Sequence, residues 1–133
     1  MTYIKYHALF VNDSKSLMDL FPPIYDDIYY HHSTIQFEPQ STDNIKIGKV
    51  TKLNVIGHLT TSKVDVLLVE NNKSTNQYPH ITLSTTLGTP PAESNSEIKN
   101  NLDKIKPISL VIDTTEGIHN GNSVITSIPT QKS

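Results

Sequence analysis

The stretch Tyr78-Pro79-His80-Ile81-Thr82-Leu83-Ser84-Thr85 reads as a strand with its chemistry on one side. Side chains alternate along a strand with period two, so His80 and Thr82 share one face while Ile81 and Leu83 point toward a core. An earlier stretch, His32-Ser33-Thr34-Ile35, repeats the His-x-Thr-aliphatic pattern inside a run from about Tyr29 to Phe37. The same interval separates the two histidines and the two threonines. If the two strands are equivalent partners in a pseudo-symmetric sheet, two imidazoles and two hydroxyls converge on one cleft.

The rest of the chain is organised around such strands. Short β-branched and aromatic runs separated by polar turns predict a sheet protein with few helices. Tyr3 to Val11 is the first run, and Asn12-Asp13-Ser14 offers caps for a short helix over Lys15 to Phe21 that Pro22-Pro23 stops. Lys49 to Leu59 and Lys63 to Glu70 read as a hairpin of long strands joined by Thr60-Thr61-Ser62. Ser94 and Glu97 have capping-box spacing, and Ile98, Leu102 and Ile105 follow as one apolar stripe of a helix closed by Lys106-Pro107. Ile108 to Asp113 and Ser123 to Ile128 complete a last hairpin around Asn120-Gly121, with Thr130 to Ser133 as a frayed tail. No tandem repeat, low-complexity tract or linker divides the chain, so residues 1–133 are expected to form one domain.

Composition narrows the chemistry. The 133 residues include no Cys, so disulfides, thiolate catalysis and Cys-based zinc sites are excluded. All 11 basic residues are Lys and the formal charge is −2, which argues against a long grip on duplex DNA or RNA, where affinity comes from many cationic contacts. No apolar run approaches a membrane span, and Met1 to His7 lacks the features of a signal peptide, so a cytoplasmic protein is expected. The abundance of Ile, Asn, Lys, Thr and Ser without Arg suggests an AT-rich genome, viral or phage.

Two imidazoles with two hydroxyls suit phosphodiester chemistry without a metal. A neutral His takes a proton from an attacking hydroxyl or water, and a protonated His gives one to the leaving oxygen; an ordinary pKa near ~6.5 allows both forms. Threonine hydroxyls can donate to non-bridging phosphate oxygens, supplying the stabilisation that Arg or Mg²⁺ provides elsewhere.

At this point the chain resembles the 2H phosphoesterases, a family defined by two His-x-Thr/Ser motifs. The resemblance spans about residues 3 to 113 and is strongest over 29 to 98. It rests on the two motifs together with Lys49-Val50-Thr51, Val64-Asp65-Val66-Leu67-Leu68-Val69-Glu70 and Gly88-Thr89-Pro90-Pro91-Ala92-Glu93-Ser94-Asn95. These look like the branch of tRNA-ligase cyclic phosphodiesterase domains, in the superfamily that also holds phage enzymes that destroy cyclic-nucleotide immune signals. The resemblance implies an α+β fold: bilobal, two-sheet, mostly antiparallel, with pseudo-two-fold symmetry. It implies His32 and His80 as the acid/base pair, Thr34 and Thr82 as phosphate binders, no cofactor, and a small nucleotide or RNA-end substrate. His31-Ser33 also fits His-x-Ser; if His31 faced the cleft in place of His32, Thr34 would point into the core.

Further candidates flank the motifs. Tyr3, Tyr6, Tyr25, Tyr29, Tyr30 and Tyr78 can each stack a base, most of them being expected only to pack; Tyr30 and Tyr78, each next to a motif, are the chosen candidates, and His7 in the first strand is the remaining histidine expected to line the cleft. Ser94 and Asn95 stand at an expected helix start, where free N–H groups can meet a phosphate, although Ser94 also reads as a plain N-cap. Asp26-Asp27, Asp65 and Glu70 are not spaced with His as a metal site, so no metal is expected.

Overall fold

A computed structural model describes residues 3–127. Its framework is a set of antiparallel strands: β1 (Tyr6–Val11), β2 (Asp27–Ile28), β3 (His32–Phe37), β4 (Val50–Thr60), β5 (Val64–Val69), β6 (His80–Thr85), β7 (Lys106–His119) and β8 (Val124–Ile125). Two helices, α1 (Ser14–Leu20) and α2 (Glu93–Asn100), and a single 3-10 turn at Leu102–Lys104 accompany them. The fold is therefore α+β with few helices. The strands form one sheet in the order β2-β6-β5-β4-β7-β1-β3, with β8 paired to the far end of β7.

Burial follows the strand period. In β4 the buried residues Leu53, Val55 and Leu59 alternate with exposed ones, as in a strand with one wet face. β5 is buried at all six positions because both of its faces are covered. Leu67 and Val69 join Leu9, Leu53, Ile35, Ile81 and Leu17 of α1 in the larger core, while Val64, Val66 and Leu68 pack with Leu59 and Ile98 of α2.

The expected helix over Lys15 to Phe21 is α1, capped by Asp13, whose Oδ1 accepts from Ser16 N–H at 3.0 Å. The long hairpin is β4 and β5. Other expectations need correction. The run from Tyr29 to Phe37 is broken, because Tyr30 adopts φ +52°, a left-handed conformation that interrupts extended pairing. The helix after Ser94 ends at Asn100, and Leu102 lies beyond it, 45% exposed, so the apolar stripe is not continuous.

Lys106-Pro107 does not end the last helix; it opens β7. Pro107 sits opposite Gly57, where β4 carries an irregularity, the kind of place that tolerates a missing N–H. The strand then runs to His119, through the polar Thr114 to Gly117, because its partners satisfy that segment. Glu116 meets His7 and Lys73, and a Cβ at Gly117 would lie 2.3 Å from the Ile125 carbonyl oxygen. The closing hairpin does turn at Asn120-Gly121, but its arms are Ile118–His119 and Val124–Ile125, while Ile108 to Asp113 pairs with β4. Ile128 and the tail Thr130 to Ser133 lie outside the described residues.

Candidate active site

Two tethers bring the ends of the sheet together. Leaving β2, the chain runs beside β6, with Tyr29 N–H donating to the Leu83 carbonyl at 2.8 Å and Tyr30 N–H to the Thr82 carbonyl at 3.2 Å, before entering β3. The loop between β5 and β6 lies along β3: Asn71 Nδ2 donates to Ser33 Oγ, Ser74 Oγ to the Thr34 carbonyl, and Thr75 N–H to the Ile35 carbonyl. The sheet curls, and the two motif strands lie at one site.

There His32, Thr34, His80 and Thr82 line a single cavity of about 520 Å³. The two strands share a local irregularity as well. Facing β1, β3 pairs Thr34 with Ala8 and Gln36 with His7, skipping Ile35; facing β5, β6 pairs Thr82 with Val66 and Ser84 with Asp65, skipping Leu83. Each motif thus carries one extra residue at its aliphatic position, directly after the threonine. Bulges of this kind turn the strand and re-aim the side chains beside them.

The histidines differ in their partners. His80 Nδ1 lies 2.8 Å from the Tyr78 carbonyl, which can only accept, so Nδ1 carries the hydrogen and Nε2 keeps its lone pair in the neutral ring. Burial lowers the His80 pKa, and this hydrogen bond partly opposes the shift. His32 is pushed down to about 3 by burial, with His31, His80 and His119 adding like-charge repulsion. Both shifts favour the neutral rings near neutral pH, and an anion held between them would favour protonation of one.

His31 and His32 both line the cavity, so the choice between the two registers does not arise. His31 precedes β3, directly after the turn at Tyr30, and is not bound by the alternation that governs His32 to Phe37. The His31 and His32 Nδ1 atoms are 2.8 Å apart. Tyr6 stacks on His32, with ring centroids 4.6 Å apart, and on its other side against His119 at 5.1 Å.

Of the flanking candidates, Asn95 lines the cavity. Ser94 does not cap α2. It is fully buried inside the helix, where its hydroxyl lies 2.9 Å from Thr82 Oγ1. The N-cap is Ala92, and Glu97 accepts instead from Thr61 Oγ1 at 2.6 Å, so the capping box is not formed. Tyr78 contributes its carbonyl to His80 and does not line the cavity.

Tyr30 is fully buried in the larger core with its hydroxyl donating to the Phe21 carbonyl, so it has no face for a base. His7 is turned away too. It shares the inner face of β1 with Leu9, and its Nε2 lies 2.8 Å from Glu116 Oε2. Burial lowers its pKa despite that carboxylate.

The aromatic walls of the cavity come from Tyr6, Tyr29 and Phe37, the last 59% exposed, and not from the chosen Tyr30 and Tyr78. Period two could have suggested Tyr6 as the residue that turns outward when His7 turns inward. Phe37 faces Tyr6 only because the bulge at Ile35 changes the phase. Lys5 and Asn76 also line the cavity, and among the described residues no carboxylate does.

Among the described residues, no three His, Asp or Glu side chains are grouped closely enough to hold a metal ion, and no helix is long and apolar enough to cross a membrane. The arrangement can hold an anion between imidazoles and hydroxyls, with aromatic faces beside it. No protein-family model, curated protein or solved structure matches the chain.

Proposed function

We propose that the protein is a 2H-type phosphodiesterase that cleaves a small nucleotide phosphodiester without a metal ion. The observation that carries the reading is the convergence of His32, Thr34, His80 and Thr82 on one cavity from two strands bulged at the same motif position. One histidine removes the proton of the attacking hydroxyl, a P–O bond forms, the bond to the leaving oxygen breaks, and the other histidine protonates that oxygen. Thr34 and Thr82 donate to the non-bridging oxygens. Attack by a neighbouring ribose hydroxyl yields a cyclic phosphate, and attack by water a linear monoester.

The substrates that fit this reading are a 2′,3′-cyclic phosphate, a short oligonucleotide or a cyclic-nucleotide signal. The compositional signature inclines the choice toward a viral or phage enzyme that degrades an immune signal in the host cytoplasm. The pseudo-two-fold relation expected of the 2H fold belongs to the same proposal. β6 lies two strands beyond β4 and β3 two strands beyond β7 in the sheet, and each bears a motif.

A second reading is a nucleotide sponge that binds in the same cavity without turnover. Burial lowers the pKa of both His32 and His80, which disfavours the protonated imidazole that turnover needs and so speaks for this reading. One experiment separates the two. The protein is incubated in EDTA with 2′,3′-cyclic mononucleotides, 2′–5′ oligoadenylate and cyclic dinucleotides, and the products are resolved. Turnover that falls by roughly 10²-fold or more in His32→Ala and in His80→Ala, with the fold intact, supports the enzyme. Binding without turnover supports the sponge, and turnover abolished by EDTA overturns the metal-free mechanism.

A further inference from the structure

The rings of His31 and His32 meet nearly at right angles, at 85°, with their Nδ1 atoms 2.8 Å apart. At that separation a single hydrogen lies between the nitrogens, so one ring donates and the other accepts. The pair can take up one further proton and keep this bond. It cannot take two, because two N–H groups would then face each other. Phe10 and His31 pack as a T-shaped pair, and the His31 carbonyl accepts from Val11 N–H at 3.0 Å, so the residue is held against β1.

We propose that His31 is a positioning residue: it accepts the Nδ1 hydrogen of His32, so that the His32 Nε2 lone pair serves as the base and His80 supplies the proton. The roles in catalysis rest on the phosphodiesterase reading, whereas the tautomer belongs to the free protein. Two features of the cavity choose this direction. Among the described residues, Lys5 is the permanent cation lining it and no carboxylate does, surroundings that suit a lone pair at His32 Nε2 better than an N–H.

The second feature is the contrast with His80. Its Nδ1–H bond to the Tyr78 carbonyl persists when Nε2 is protonated and strengthens with the charge. A protonated His32 keeps its bond to His31 but faces two more imidazoles, His80 from β6 and His119 across Tyr6. His119 Nδ1 accepts from Gly121 N–H at 3.0 Å, which leaves the hydrogen of its neutral ring on Nε2. In the reaction, His32 Nε2 takes the hydrogen of the attacking hydroxyl. His80, protonated from solvent as the anionic substrate enters, passes its Nε2 hydrogen to the leaving oxygen.

The test is ¹⁵N NMR of the histidine rings in the wild type, His31→Phe and His31→Asn, with pH profiles of turnover for the same proteins. The wild type is expected to carry hydrogen on His32 Nδ1 alone near neutral pH. His31→Phe should mix the tautomers, shift the His32 titration, and lower kcat on the order of 10²-fold while KM changes little. His31→Asn, whose amide oxygen can accept from Nδ1, should restore the tautomer and most of kcat. A wild-type His32 with hydrogen on Nε2, or a His31→Phe variant with unchanged tautomer and pH profile, overturns the proposal. The expected ring pattern with no turnover of any phosphodiester would retain the His31–His32 geometry and reject the enzymatic reading.

Discussion

Ser94 Oγ and Thr82 Oγ1 lie 2.9 Å apart, the first fully buried in α2 and the second facing the cavity. If Ser94 donates, the Thr82 hydrogen is free to point at a phosphate oxygen. Ser94 then orients a cavity hydroxyl from within the helix without lining the cavity itself.

Replacing Ser94 by Ala removes that orienting bond and leaves the backbone unchanged. A net hydrogen bond is worth about 1 kcal/mol, so kcat/KM is expected to fall by roughly fivefold to tenfold. Thr82→Val, which removes the hydroxyl itself, should cost on the order of 10²-fold. Steady-state kinetics on one active substrate checks both, and an equal loss in the two variants would contradict the relay.

Phe37 and Tyr29 offer aromatic faces on the cavity wall. Stacking of a base on such a ring contributes roughly 1–3 kcal/mol, so Phe37→Ala and Tyr29→Ala should weaken nucleotide binding by about fivefold to a hundredfold. Tyr30 has no exposed face and Tyr78 is outside the cavity. Tyr78→Leu, which keeps the carbonyl that holds His80, is expected to bind normally. Titration calorimetry with one nucleotide distinguishes these outcomes.

Acid should destabilise the fold before most carboxylates protonate. His7, His31, His32 and His80 all have pKa values lowered on folding, each chiefly by burial. The unfolded chain, with ordinary histidines near ~6.5, therefore binds more protons than the folded one below that pH. Their contribution is fully present above about pH 6.5 and is lost as pH falls, for His32 down to about 3. Urea midpoints measured from neutral to acid pH should decline, and less steeply in His32→Asn. A flat profile in the wild type would contradict the burial account.

Glu116 is 1% exposed and accepts from Lys46 N–H at 2.8 Å, from Lys73 Nζ at 3.0 Å and from His7. Burial alone would raise its pKa, but these donors outweigh burial and keep it below the usual carboxylate value. Breaking a buried ion pair by removing one partner costs about 3–5 kcal/mol, the loss expected for Glu116→Ala in urea unfolding. His7→Gln, on the inner face of β1, should leave KM unchanged. A raised KM there would return His7 to the cavity.

The sequence by itself determined the properties that depend on local pattern: strands and few helices, a cap for the first helix within Asn12-Asp13-Ser14, the β4–β5 hairpin, and two His-x-Thr motifs with matching intervals. Period two was enough to put each His with its Thr on one side and Ile81 and Leu83 on the other. Only the tertiary structure decided how those faces meet. One residue at φ +52° and one bulge in each motif strand change the phase of alternation, and neither is visible in a residue pattern. This is why His31 joins His32 in the cavity, Tyr29 replaces Tyr30, and Phe37 completes a wall. Ser94 illustrates the same limit, since a hydroxyl with capping-box spacing bonds whichever partner packing brings nearest, and here the curl of the sheet brings Thr82.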